Sequence, residues 1–442
     1  MKLDPWPSCR VARVVITPDS PLALAGYLNR REPSEGVASA LEGNLLLTAV
    51  DGAPLLMIAL DTLFGSEALC EGIVRRLAAS LPGLSPERVQ LIASHTHYAP
   101  SLDPSKPCLG IVDEEYFAFC IERIATAIET VLPRPATEVQ TCRRGQATCL
   151  ANVYRRLETW VRERRSLRFR REYATAPDTR VAVDHQLRIA RLVGEDDETL
   201  CVLWSWPCHA VSRGETRTIS ADFPGAVRDV LRERYGEGLP VLYFPGFCGD
   251  LRPFSHRARR SMRDLLAMPF ARGFEVPDAA SHAALCRTVA NAALRADADT
   301  EGWITDAGPP VETSIAGVEK PLTRLLDGYA GSAGLRCTHL SLPPLRFALL
   351  GAEVCSGYAD AVADIDFPSG YANAVFGYLP TSSQVVEGGY EVDGFMPAFS
   401  LEGRFRTDID GVVRTLLGGD GAVRDAVGAA PRATWFGDRV QE

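Results

Sequence analysis

In the segment Arg88-Val89-Gln90-Leu91-Ile92-Ala93-Ser94-His95-Thr96-His97-Tyr98-Ala99-Pro100, an apolar run leads straight into two histidines spaced i and i+2, and a proline closes it. Read as a strand, the run places alternate side chains on one face, so His95 and His97 are predicted to project together. Two imidazoles side by side at a strand end, with loop beyond, are a natural start to a metal site. Only seven histidines occur in 442 residues, so chance is a poor account of so close a pair. The plainer alternative is two polar residues closing a strand.

The rest of the chain supplies the scaffold. Residues 10–16, 45–50 and 55–61 read as strands, being β-branched or apolar and bounded by Asp, Gly and Pro. Ser66 is placed to cap a helix with Leu69, Ile73, Val74 and Leu77 on one face, and Asp113 to cap a second with Phe117, Ile121, Ile124 and Ile128. Strands are expected at 183–192, 200–206, 239–244 and 345–350, and helices at 221–235, 279–296 and from about Glu353. This alternation favours an α/β class, mixed sheets flanked by helices. A single catalytic domain over 1–442 is expected, with a junction at 303–311 and a small C-terminal subdomain from about 305. Residues 155–171 carry eight arginines and read as an inserted segment, either a solvated face or an anion-recognising one.

Charge and composition narrow the function classes. A net charge of −9 and a pI near 5.5 argue against nucleic acid as partner, since phosphate backbones need a basic surface. Residues 1–14 lack the apolar core of a signal peptide, and the longest apolar run, Ala53–Leu60, is far too short to span a bilayer. A cytoplasmic protein without an integral membrane segment is the expectation, its oligomeric state open. The twelve cysteines are spread over a long chain without a C-x-x-C pair, so reduced, buried thiols are expected. Cys208, Cys248 and Cys355 fall beside the candidate site segments, where small-residue packing is the preferred reading.

Two further residues repeat the strand-end placement. His209, in Trp206-Pro207-Cys208-His209-Ala210, follows an apolar strand as His95 does, and Glu353 follows Leu349-Leu350-Gly351-Ala352. A glutamate so placed must find a partner if buried. Two His and a Glu leave a coordination position for water, the arrangement of a catalytic zinc site, and zinc activates water for amide or ester hydrolysis. No G-x-S-x-G elbow, Walker A loop or G-x-G-x-x-G is present.

Several segments, in order along nearly the whole chain, resemble the catalytic domain of the neutral/alkaline (non-lysosomal) ceramidase family. Ser94-His95-Thr96-His97 with Pro100 resembles that family's T-H-T-H-S-G-P. Cys208-His209-Ala210 with Ser220-Ala221-Asp222 resembles its second histidine and downstream S-S-D. Gly249-Asp250-Leu251-Arg252-Pro253 resembles G-D-V-S-P, Gly351-Ala352-Glu353 resembles P-G-E, and Gly377-Tyr378 with Tyr390-Glu391-Val392 resembles G-Y…Y-E-G. The resemblance implies a zinc-dependent amidohydrolase acting on a linear acyl amide, with one Zn2+ per chain. By position it makes His95, His209, Glu353 and Tyr378 the metal ligands, and His97 and Tyr390 residues that stabilise the oxyanion. Asn152-Val153-Tyr154-Arg155-Arg156 resembles the family's N-R segment, which adds Arg155 to the site.

The departures bear on substrate. The serine of G-D-V-S-P is Arg252, Tyr98-Ala99 replaces S-G, and Val392 replaces the last glycine. The family's C-terminal immunoglobulin-like domain and secretion signal are not expected. A small-molecule acyl amide, ceramide-like or smaller and soluble, is therefore the expected substrate. The alternative is a metal-free or degenerate homologue that binds an acyl ligand or partner without hydrolysis. A TIM-barrel amidohydrolase would need further histidines at strand ends, and His185, His256, His282 and His339 are poorly placed for that. Asp61, at the end of an apolar strand, is a guess for a second ion.

Overall fold

The computed structural model describes residues 3, 6–28, 30–162, 169–254, 258–259, 273–274, 276–304 and 312–418. Three sheets enclose a common core. In the first, Val89–Ala93, Ala53–Leu60, Glu42–Val50, Ser8–Val15 and Thr137–Glu138 lie in that order. The second runs Val241–Pro245, Thr199–Trp206, Gln186–Val193, Thr141–Thr148 and Glu301–Ile304, and the third Ser314–Pro321, Gly334–Leu342, Leu345–Leu350 and Phe367–Ser369.

The apolar runs are continuous because both faces of these sheets are covered. Along Ala53–Leu60, Leu55, Met57 and Ala59 join Leu203, Phe244, Phe347 and Phe367 in the cluster between the three sheets. The alternate residues Leu56, Ile58 and Leu60 face the helices Glu67–Leu77 and Glu114–Val131. The second sheet's outer face is covered by the helices Asp222–Tyr235 and Ala279–Ala298. The third packs Leu335, Cys337 and Leu350 against Tyr358, Phe395 and Leu416. Apolar clusters thus run from either end of the chain across residue 305.

Two β-α-β units set the site's position. Ala53–Leu60 passes through the helix Glu67–Leu77 into the parallel strand Val89–Ala93. Ser66 caps that helix, accepting from the Leu69 amide, as its sequence anticipates. Thr199–Trp206 passes through Asp222–Tyr235 into the parallel strand Val241–Pro245. Open sheets bind ligands beyond the carboxyl ends of such strands, and His95 and His209 both lie there.

Two expectations are corrected. Glu353 opens no helix: Glu353–Val354 is a short strand parallel to Tyr378–Leu379, with a 3-10 turn at Ser356–Val362. The other concerns His95 and is taken up below. The arginine-rich run, expected as an insertion, falls on an antiparallel pair, Asn152–Arg162 with Phe169–Asp178, the residues between them lying outside the described set. Residues 305–311 of the expected junction, and His256, lie outside the described residues. No described helix is long and apolar enough to cross a membrane.

Candidate metal centre

The strand before the histidine pair ends at Ala93. His95 and His97 therefore do not share a face through strand alternation, as the sequence suggested. His95 instead takes a left-handed backbone, φ 59°, which turns the chain so that the two rings meet edge to face, Nε2 to Nε2 at 3.3 Å. Histidine tolerates this region better than most residues. Tyr371, also left-handed at φ 58°, stacks on the His95 ring with centroids 4.2 Å apart. An aromatic residue at positive φ is a costlier choice, of order 1–3 kcal/mol, and its position under His95 is what it secures. His97 is held from behind by Arg30, which donates to its carbonyl at 2.7 Å, and by Gly26, where any Cβ would lie 2.5 Å from His97 Nδ1.

His209 follows Thr199–Trp206 into a loop fastened by Asp222, which accepts from the Ser212 amide at 2.7 Å and from the Ser212 hydroxyl. Glu353 is set by the G-D segment. Gly249 passes so close that a Cβ would meet the Glu353 carbonyl oxygen at 2.5 Å. Asp250 accepts from Ser356 N–H and from Gln384 Nε2, and its carbonyl accepts from Arg155 N–H. That segment is a clamp joining the strand of Arg155 to the loop of Glu353.

The donor chemistry is decided by the far side of each ring. His95 Nδ1 lies 3.0 Å from the Leu63 carbonyl and His209 Nδ1 2.7 Å from that of Cys248. Only an N–H satisfies a carbonyl, so in each neutral ring the lone pair sits on Nε2. Both Nε2 atoms point at Glu353 Oε2, each 3.3 Å away, in a site where all three side chains are buried. Oε2 itself has no hydrogen-bond donor. Burial, and then the charge of Arg155, push His209 down to about 3, so near neutrality it carries no proton to offer. Neither Nε2 offers a hydrogen to Oε2, although His97 Nε2 and Arg155 Nη1 lie 3.3 and 3.2 Å from the His95 and His209 nitrogens. A cation fits the undonated carboxylate oxygen between them. Imidazole nitrogens and a carboxylate oxygen suit zinc. One ring nitrogen from each of His95, His97 and His209 lies within 4.8 Å of the others.

The remaining expected residues surround this point. The Tyr378 hydroxyl is 3.4 Å from His209 Nε2. Arg155, buried, brings Nη1 to 3.2 Å from the same nitrogen while its Nε donates to Glu391 at 2.7 Å. Its Nη2 has no partner. Glu391 also takes Arg156 at 2.7 Å. Burial would raise the Glu391 carboxyl, but the two guanidiniums outweigh it and hold it below the usual carboxylate range. Tyr390 is half-exposed, its ring 5.5 Å from that of Tyr378. Burial, with His95 and His209 adding to it, holds His97 well below the ordinary imidazole range, and His97 Nδ1 has no partner.

Sequence reasoning missed Tyr371, Glu391 as the anchor of Arg155, and Arg30. Asp61, named there only as a guess for a second ion, has its carboxylate taken by Arg228 at 2.7 Å and by the Glu42 amide. Cys208, Cys248 and Cys355 are buried thiols whose burial raises them far from ionisation at neutral pH. His185, His282 and His339 serve local contacts with Asn152, Ser212 and the Leu416 carbonyl.

Against solved structures, the neutral ceramidase from Pseudomonas aeruginosa superposes with a TM-score of 0.67 over 95% of this chain and 74% of its own, at 16% identity. The chain has the neutral-ceramidase fold. A ceramidase complexed with C2 gives the same TM-score at 15% identity, covering 96% of this chain and 76% of that one. At such identities the likeness establishes the neutral-ceramidase architecture of mixed sheets and flanking helices. No family model matches the sequence. Among curated proteins, the DNA replication and repair protein RecF of Deinococcus radiodurans is 31% identical over 147 residues, 31% of this chain. The chain spans only 40% of that relative's length.

Proposed function

We propose that the protein is a zinc-dependent hydrolase of acyl amides, with one ion held by His95, His209 and Glu353 and completed by the Tyr378 hydroxyl. The observation that carries this reading is the convergence of two Nε2 lone pairs on an undonated, buried Glu353 oxygen. Zinc bound there supplies Lewis acidity, acidifying water and polarising a carbonyl. The chain's own residues do the rest. Arg155, fixed by Glu391 and with Nη2 free, offers a donor to the oxygen that becomes negative as water adds to the amide carbon. The Tyr390 hydroxyl, at the mouth, offers a second.

His97 is kept neutral by burial and has an unpartnered Nδ1, so it can take a proton from water and pass it to the departing nitrogen. The C–N bond breaks, the acyl group leaves as a carboxylate and the nitrogen as an amine. The ceramidases of this fold supply the precedent for an amide as the bond attacked.

The test is fatty-acid release from a panel of N-acyl amides that includes a short-chain ceramide. Chelation is expected to reduce release to background, and one equivalent of zinc to restore it. Zinc-loaded protein that binds acyl amides yet hydrolyses none would overturn the reading and leave a binding protein.

A further inference from the structure

Arg252 stands where the resembling family has serine, and among the described residues it lacks the carboxylate partner that Arg155, Arg156, Arg228 and Arg232 have. It lies on the short strand Leu251–Pro253, opposite Val153 of Asn152–Arg162. Directly opposed residues share a sheet face, and so do residues two apart. Val153, Arg155 and Arg252 therefore share one face, the one that Arg155 uses to reach His209. The strand pairing thus sets Arg252 on the face that carries Arg155, and burial, with the charge of Arg155 adding to it, lowers its guanidinium from the ordinary value.

Its bonding is incomplete. The guanidinium lies over the Phe274 ring at 4.7 Å, which fixes its plane and leaves its N–H edge open. Nε is buried without a hydrogen-bond partner. Among the described residues no carboxylate pairs with it, whereas Arg155, Arg156, Arg228 and Arg232 each have one. With Arg155 Nη2 also unpartnered, one sheet face carries two guanidiniums with donors to spare, in a chain of net charge −9. A desolvated cation kept without a counter-ion is costly unless a ligand supplies one.

We propose that the substrate of this site is an anionic amide, an N-acylated amino acid type whose carboxylate, close to the amide that is cleaved, is bound by the edge of Arg252. Planar bidentate pairing is what a guanidinium offers a carboxylate. This rests on the hydrolase reading above and narrows it away from an uncharged ceramide.

N-decanoylglycine and N-decanoylglycinamide differ only in that charge. Wild-type, zinc-loaded protein is expected to cleave the first with a kcat/KM about tenfold to a hundredfold above the second, the range of a charged hydrogen bond. Arg252→Ser is expected to erase that preference by slowing only N-decanoylglycine, and Arg252→Lys to restore part of it. Calorimetry with the uncleavable N-decylsulfonylglycine and its glycinamide counterpart separates recognition from turnover. Tighter binding of the carboxylate, lost in Arg252→Ser, upholds the proposal even if no amide is hydrolysed, the result that would sink the hydrolase reading instead. Equal rates for both amides, or carboxylate binding unchanged by Arg252→Ser, would overturn the proposal and leave the hydrolase reading standing.

Discussion

Two buried charge clusters sit within the same β-α-β framework, and they are built to opposite rules. One joins the first sheet to the helix Asp222–Tyr235. There Arg232 grips both oxygens of Glu42 at 2.8 and 2.7 Å, and Arg228 takes Asp61 at 2.7 Å. Arg232 further donates to the Leu239 carbonyl and Arg228 to that of Ala40. Two carboxylates meet two guanidiniums, and only Arg228 Nε, 3.6 Å from Glu42, lacks a hydrogen-bond partner. The other cluster is His95, His209 and Glu353, where acceptors face acceptors. The first is closed on itself and serves the fold. The second leaves Glu353 Oε2 without a donor, and on the proposed reading a cation completes it.

That contrast can be broken most forcefully at Glu353. Glu353→Gln is expected to lower kcat/KM by about a thousandfold or more, ~4 kcal/mol, while urea unfolding of the metal-free protein shows no loss of stability. Arg228→Met, in the closed cluster, should do the reverse. Leaving Asp61 buried and unpaired costs about 3–5 kcal/mol of stability, with zinc content and kcat per folded molecule unchanged. A variant at Arg228 that loses zinc before it loses stability would erase the distinction between the clusters.

Tyr390→Phe sharpens the division within the site itself. Removing one oxyanion donor is expected to lower kcat by about a hundredfold, ~2.7 kcal/mol, with zinc retained and KM little changed. Equal losses in zinc content would move Tyr390 from substrate to metal.

The smallest effect concerns protons. His209 is held down to about 3 in the fold, against an ordinary value of 6.5. A depressed folded value means stability that is present above 6.5 and is lost as pH falls toward 3, because the unfolded chain takes the proton first. In chelated protein the stability should fall across that window by up to ~1.4 kcal/mol per pH unit from this group. His209→Asn should flatten the slope by about one proton. The closed cluster titrates in another window: burial would raise Glu42, but Arg232 and Arg228 hold it below the carboxylate range, so its contribution persists until more acid pH.

The parts of this molecule that were legible in its sequence are those set by short-range patterning. The apolar runs at Glu42–Val50 and Ala53–Leu60, and the caps Ser66 and Asp113, mark strands and helices because burial on two faces and end-capping leave local traces. His95, His209 and Glu353 could be picked out because each ends an apolar run, and Tyr378 only through the family resemblance. What could not be read depends on contacts far apart in sequence. Asp61 finds Arg228 and Arg155 finds Glu391 across 167 and 236 residues. The left-handed backbones at His95 and Tyr371 have no local signature either, so the pairing of His95 with His97 was anticipated for the wrong reason.

Elemental mass spectrometry of protein purified without chelator measures the metal content directly, with His209→Ala and Arg228→Met alongside. About one zinc per chain in the wild type and in Arg228→Met, and none in His209→Ala, is the expected result. A wild type that takes up no metal even when zinc is offered would contradict the reading of the His95–His209–Glu353 cluster as a metal centre.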